Sequence, residues 1–229
     1  MKLLGLIGGV SPEATAIYYR LLNEAARARL GPLHSANILL YTLDYGVMIK
    51  YYEENDWQSF SAEVAEGARR LAEAGAEAIV ICSNTTHIAA NAAAKASGLP
   101  VIHMLDVLAA AMKARDVKKP LLLGTPVVMS GDHYRTELAK RYAGHVLIPN
   151  PDEQRIIGRV ILDELVVGKV AEGSRRELLH IIASHDADGV ILGCTELCMI
   201  LSQQHCALPV FDTTALHASA ASAFAFGES

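Results

Sequence analysis

The stretch Asp188-Gly-Val-Ile-Leu-Gly-Cys-Thr-Glu196 sets the reading of the whole chain. Val190, Ile191 and Leu192 form a short apolar run rich in β-branched residues, which reads as a buried parallel strand. Gly193 ends the run, and Cys194-Thr195-Glu196 opens a helix-like stretch. A cysteine at such a turn faces free backbone N–H groups and the positive end of a helix dipole. Both favour thiolate, so the thiol is expected below its free value of about 8.5. The plainer reading is a buried cysteine acting as a small hydrophobe. A second copy of the pattern favours chemistry. Glu77-Ala-Ile-Val-Ile-Cys-Ser-Asn-Thr85 overlays the first stretch without a gap, pairing Cys82 with Gly193 and Ser83 with Cys194, at an offset near half of the 229 residues.

Composition narrows the classes. Hydrophobic residues make up 52% and charged residues 20%, which suits a packed globular chain and not a disordered one. The net charge of −5 and the lack of a basic stripe argue against a nucleic-acid partner. No apolar run is long enough to span a bilayer, so no membrane role is expected. Met1-Lys-Leu-Leu-Gly-Leu-Ile-Gly-Gly9 reads as a first strand and turn, because the apolar run is short and Ser11-Pro-Glu breaks it. With no export signal, the four cysteines are expected as reduced thiols in the cytoplasm. Cys194, Cys198, His205 and Cys206 do not form a zinc pattern, since no second close pair faces the first.

Along the chain, strands and helices alternate. Lys2–Ile7 reads as a strand and Gly8-Gly9 as a tight turn, with Ser11 and Pro12 as helix cap and first residue. A helix over Glu13–Arg29, a strand over Asn37–Leu43 and a long amphipathic helix over Trp57–Ala74 follow. Then come the Glu77–Cys82 strand, an Ala-rich helix over Ile88–Ala96 and a strand from Val101-Ile102. The second half repeats this order. Pro120–Leu123 and Val146–Ile148 read as strands, and Asp152–Gly168 and Ser174–Ser184 as helices. After the Cys194 strand, Leu208-Pro-Val-Phe211 mirrors Leu99-Pro-Val-Ile102, and Thr213–Phe226 is helical. The expected fold is α/β: two similar parallel-sheet lobes related by an approximate two-fold axis. Ligands of such sheets lie beyond the carboxyl ends of the strands, where Ser83 and Cys194 both stand. If the lobes face each other, the two side chains flank one small molecule in the cleft. A thiolate on one face of a carbon removes its proton, and a hydroxyl on the other returns one. Asn84, Thr85, Thr86, Thr125 and Thr195 stand at turns where neutral donors suit a carboxylate; the competing role is helix capping. No cofactor is demanded: no phosphate loop is complete, and no lysine but Lys50 lies near the strand-end turns, so a pyridoxal Schiff base is not suggested.

Leu6-Ile-Gly-Gly-Val-Ser-Pro-Glu-Ala-Thr15, Ser83-Asn-Thr-Thr-His87, Gly193-Cys-Thr-Glu196 and Phe211-Asp-Thr-Thr-Ala-Leu-His217 together resemble the pyridoxal-independent aspartate/glutamate racemase family. The similarity runs from Lys2 to about Phe224. The resemblance implies two α/β lobes, one over 1–99 completed by 208–229 and one over 100–207. It also implies a cleft active site, frequent homodimers, an amino-acid substrate and acid–base catalysis at Cα. The catalytic pair maps onto Ser83 and Cys194. Substrate contacts map onto Val10, Ser11, Asn84, Thr85, Thr86, Thr125 and Thr195, and by a weaker alignment onto Tyr52. Where this chain has Ser83, the family usually has Cys, and a subgroup similar to L-aspartate/L-glutamate-selective enzymes has Thr. Cys82 lies one residue early, and alternation along a strand points it away from a site that Ser83 enters; a local bulge would reverse this. Val10 stands where Met is common, and Tyr52 where the L-selective subgroup suggests Gln.

The implied activity is cofactor-independent inversion of aspartate or glutamate, with Cys194 deprotonating the L-isomer and Ser83 reprotonating on the other face. Two other classes stay open: a single-cysteine relative such as a malonate decarboxylase or isomerase, and a dicarboxylate- or amino-acid-binding protein with little turnover. His87 and His217 read either as groups that tune the site or as hydrogen-bonded structural histidines. Asp44 and Glu196 read either as partners of Cys194 or of the substrate ammonium, or as helix-end carboxylates.

Overall fold

The structure, a computed structural model, describes residues 1–228, with every side chain among them except that of Asp132. Ser229, the last residue of the expected 208–229 segment, lies outside the described residues. The chain divides into two compact units, Met1–Met104 with His217–Ser229, and Leu105–Leu216.

In the first unit β1 (Leu4–Gly8) leads into α1 (Pro12–Leu30) and β2 (Ile38–Thr42). Then come α2 (Tyr45–Glu53), α3 (Trp57–Glu73), β3 (Ala78–Ile81), a 3-10 turn over Thr85–Ala89, and α4 (Ala90–Ser97). The strands are parallel in the order β2-β1-β3, and Val101 adds a single bridge to Ile79. β1 and β3 are buried along their whole length, which is why they read as continuous apolar runs. Their residues alternate between two cores. Ile79 and Ile81 pack with Phe60, Val64 and Leu71 of α3, whereas Ala78, Val80 and Cys82 pack with Tyr18 and Leu22 of α1. The second of these cores is closed by Ala218, Ala221 and Ala225 near the chain end.

The other unit is built alike. α5 (Met104–Ala114) leads into it, followed by β4 (Pro120–Leu123), α6 (Pro126–Ser130), α7 (Asp132–Ala139), α8 (Pro151–Arg159) and α9 (Glu172–Ala183). After β5 (Gly189–Leu192) come a 3-10 turn over Thr195–Met199, β6 (Val210–Asp212) and α10 (Thr213–Phe226). The parallel order is β4-β5-β6, with Leu147 bridging to Leu121. Each pairing in the first sheet has its counterpart in the second, so the α/β reading of two similar units holds.

The structure departs from the sequence reading in several places. Segment 100–104 stays with the first unit, because Val101 bridges to Ile79 and the Ile102 N–H donates to the Ile79 carbonyl. Segment 208–216 stays with the second, because β6 pairs with β5. Both chain crossings therefore fall later than Leu99 and Leu208. The expected helix over Asp152–Gly168 is regular only to Arg159. It then widens into a π turn over Val160–Glu164, where Glu164 accepts from Arg159 and from the Ser174 hydroxyl. Gly131 separates α6 from α7, so this segment is broken where α1 is continuous.

Candidate active site

In the first unit the site residues sit where neighbouring parallel strands end together. Ile7 pairs with Ile81 and Gly8 with Thr42, so the turns after β1, β2 and β3 leave one edge of the sheet. Gly9 makes the first turn at φ 88°, and a Cβ there would lie 2.1 Å from the Leu43 carbonyl oxygen, so only glycine fits. Val10 follows it, half-buried, and then Ser11, which caps α1 by accepting from the Ala14 N–H at 3.3 Å. Asp44 plays the same part for α2, accepting from the Val47 N–H at 3.0 Å.

After β3 the chain bends into Ser83-Asn84-Thr85-Thr86. Cys82 is almost fully buried in the core with Leu6, Val80 and Tyr18, and burial pushes its thiol far up. Ser83 continues the face of Ile79 and Ile81. Its Oγ accepts a long bond from the Thr86 N–H at 3.4 Å, which leaves the hydroxyl proton free to be donated elsewhere. Asn84 and Thr86 are buried and Thr85 is half-buried; the Thr86 hydroxyl oxygen has no hydrogen-bond partner. Tyr52 follows β2 on α2. It lies in the last turn of α2, edge-on to Trp57 at 5.4 Å, and burial raises its phenol.

The second unit repeats the arrangement with different side chains. Leu123 pairs with Leu192, and the Gly193 N–H donates to the Leu123 carbonyl at 2.7 Å. A Cβ on Gly193 would lie 3.0 Å from that same carbonyl oxygen, so the counterpart of Cys82 is a glycine here. Thr125 begins α6 without using its side chain as a cap, and its hydroxyl oxygen is buried and unpaired. Two hydroxyls at strand-end turns, Thr86 and Thr125, are thus left without the partner that a buried polar group normally finds.

Cys194 is buried in the core of Val190, Leu192 and Leu197. Its Sγ donates to Glu196 Oε2 at 3.0 Å, and the Thr195 hydroxyl donates to the same oxygen at 3.0 Å. Burial first, then the negative charge of Glu196, pushes the thiol well above its ordinary value. The expected depression is therefore reversed. The 3-10 turn spans only Thr195–Met199, too short to supply much dipole, and burial, reinforced by the carboxylate two residues on, outweighs it. Asp212, in register with Leu192, is a further carboxyl at this edge. It caps α10, and burial raises it.

The histidines weighed in the sequence are fully engaged. His87 and His217 are buried in the first unit and His103 is half-buried beside them, with the His103 and His217 ring centroids 4.9 Å and 5.2 Å from that of His87. Among the described residues no three His, Cys, Asp or Glu side chains gather as a metal ion would need. Of the sequence candidates, Val10, Ser11, Ser83, Asn84, Thr85 and Thr86 gather at the edge of one sheet, and Thr125, Cys194 and Thr195 at the edge of the other.

The family model for Asp/Glu/Hydantoin racemase matches residues 7–221. A crystal structure from Yersinia pestis, described as a candidate Asp/Glu racemase, is 39% identical with a TM-score of 0.92, covering 99% of this chain and 100% of that one. The aspartate racemase of Picrophilus torridus is 27% identical with a TM-score of 0.77, covering 100% of this chain and 96% of that one. The broad-specificity amino-acid racemase RacX of Bacillus subtilis (strain 168) is 20% identical over 217 residues, 93% of each chain.

Proposed function

The chain belongs to the Asp/Glu/Hydantoin racemase family and is an amino-acid racemase, and from that premise we propose that it inverts Cα of L-aspartate or L-glutamate with two of its own side chains, Cys194 and Ser83. The observation that carries this reading is the Cys194–Glu196 pair, a buried thiol whose proton already points at a carboxylate. Glu196 takes the thiol proton as the substrate's ammonium group enters and favours the thiolate. The thiolate removes the Cα proton of the L-isomer, leaving the electron pair on Cα. The Ser83 hydroxyl delivers its proton to the opposite face, and the D-isomer forms. Solvent returns a proton to the Ser83 oxygen and accepts the one held by Glu196, so the protons balance.

The substrate carboxylate has partners in the unpaired Thr86 and Thr125 hydroxyls and in Asn84, neutral donors that stabilise charge as it develops. A homodimer belongs to the same proposal, as the family resemblance implies it, and so does the cytoplasm, which suits four reduced thiols.

A serine hydroxyl is a poor base, so catalysis is lopsided. Starting from the D-isomer, kcat is low. The two enantiomers have equal free energy, so kcat/KM is the same in both directions and KM for the D-isomer falls in step. The test is incubation of single L-amino acids in deuterated water with mass and chiral analysis. L-aspartate or L-glutamate should gain deuterium at Cα and yield the D-isomer. Cys194→Ala should abolish both, and Ser83→Cys should raise kcat from the D side. Absence of exchange with every amino acid tried would sink the proposal.

A further inference from the structure

The buried histidine group does more than fill space, because every ring nitrogen of His87 and His217 is committed and the commitments fix both tautomers. His87 Nε2 receives the Met104 backbone N–H at 3.2 Å, so it carries a lone pair. The proton is then on Nδ1, which donates to the Ser83 carbonyl oxygen at 2.6 Å. His217 runs the other way. Its Nε2 lies 2.6 Å from the Ile102 carbonyl and must donate, so Nδ1 accepts from the Tyr18 hydroxyl at 2.7 Å. Burial holds both rings well below their ordinary value, in keeping with the neutral forms that this bonding requires.

Two of these four bonds meet on one short segment. Ile102-His103-Met104 is the stretch by which the chain leaves the first unit, since Leu105 belongs to the second. His217 holds that segment at Ile102, and His87 holds it at Met104. The other end of the His87 ring grips Ser83, whose hydroxyl has only a long bond from the Thr86 N–H to orient it. A ring that bonds backbone at both ends sets the distance between the Ser83 turn and the crossing segment.

We infer that His87 is a positioning residue for the inversion step: it aims the Ser83 hydroxyl by anchoring the Ser83 carbonyl to the segment at Met104. The inference rests on the reading of Ser83 as the proton donor. His87 does not touch substrate. Losing its anchor leaves proton removal by Cys194 intact and spoils proton return at Ser83, since misplacement of a reacting group by about 1 Å costs on the order of a hundredfold.

The experiment follows L-substrate in deuterated water and separates two products. Deuterated L-isomer reports removal and return on the Cys194 side, and deuterated D-isomer reports delivery by Ser83. His87→Leu should lower the ratio of D to L deuterated product by roughly ten- to a hundredfold, with KM for the L-isomer nearly unchanged. His87→Gln, which keeps one donor and one acceptor, should recover much of the ratio. A structural defect alone would lower both products together. Where the Leu variant fails to fold, His87→Asn keeps the polar groups on a shorter stem and should show the same fall in ratio. Ser83→Ala is the control: it should stop D-isomer formation and leave exchange of the L-isomer. If Ser83→Ala still inverts, the donor reading fails and the His87 inference with it. If Ser83→Ala does not invert but a folded His87→Leu or His87→Asn keeps the wild-type ratio, the His87 inference alone is overturned.

Discussion

Cys194 and Glu196 share one proton position, and that fact governs how the thiol responds to pH. Burial and the adjacent carboxylate both disfavour the thiolate in the free protein. Removing the carboxylate's charge while keeping its shape should lower the thiol's pKa. Glu196→Gln should therefore shift the pH profile for alkylation of Cys194 to lower pH. It should also reduce kcat at neutral pH by about ten- to a thousandfold, because the proton acceptor is lost. An alkylation profile that stays put or moves to higher pH would contradict the pairing. That Cys82 points into the core was legible in the sequence, because side chains alternate along a strand and Cys82 falls on the face of Val80 and Leu6. The pairing of Glu196 with Cys194 was one of three readings that the sequence left open. Residues two apart meet only because the chain after Gly193 turns at Cys194 into a tight 3-10 coil, a local geometry that residue types do not announce.

At the scale of elements, the internal repeat extends to how the strands are fastened. Glu77 and Asp188 occupy equivalent positions just before β3 and β5. The Leu3 N–H donates to Glu77 Oε1 at 2.9 Å. The Lys118 and Lys119 N–H groups donate to the two Asp188 oxygens at 2.6 Å and 2.7 Å. Each carboxylate thus ties the start of a neighbouring strand, where a backbone N–H would otherwise lack a ladder partner. Asp188→Ala should cost about 1–2 kcal/mol in urea unfolding, and Glu77→Ala less, since it loses one bond and not two. Equal and negligible losses would show that water replaces these bonds. The repeat made the strands, their sequence along the chain and α3 readable from apolar runs and caps. It did not reveal α2 and α5, which the sequence reading left without structure. α2 follows Asp44, which caps it in keeping with the helix-end reading of that carboxylate, and α5 starts at the end of the crossing segment. The strands at Val101 and Val146–Ile148 shrink to single bridges, because edge segments with one neighbour need little regular pairing.

For the molecule as a whole, the buried histidines set a lower limit of pH. Burial holds His217 at about 4 in the folded state, whereas an unfolded histidine titrates near 6.5. A depressed folded value means that the unfolded chain binds protons first. Stability is complete above about pH 6.5 and is lost as the pH falls toward 4. His217 alone accounts for about 2–3 kcal/mol between pH 7 and pH 4.5, and His87 acts in the same direction. Urea midpoints across that range should fall accordingly, and His217→Gln should flatten the slope. A midpoint independent of pH would rule out neutral, buried imidazoles.

α10 begins in one unit and ends in the other, and its later residues complete the core around β1 and α1. There the Ala225 carbonyl accepts from the Lys2 N–H at 2.7 Å, and Glu228 pairs with Arg29 at 2.9 Å. During synthesis on the ribosome, β1 and α1 emerge before the whole of the second unit and wait for their cover until the residues from His217 onward are made. The contiguous stretch from Leu105 to Leu216 has no such delay, so the half translated second is the half that finishes first.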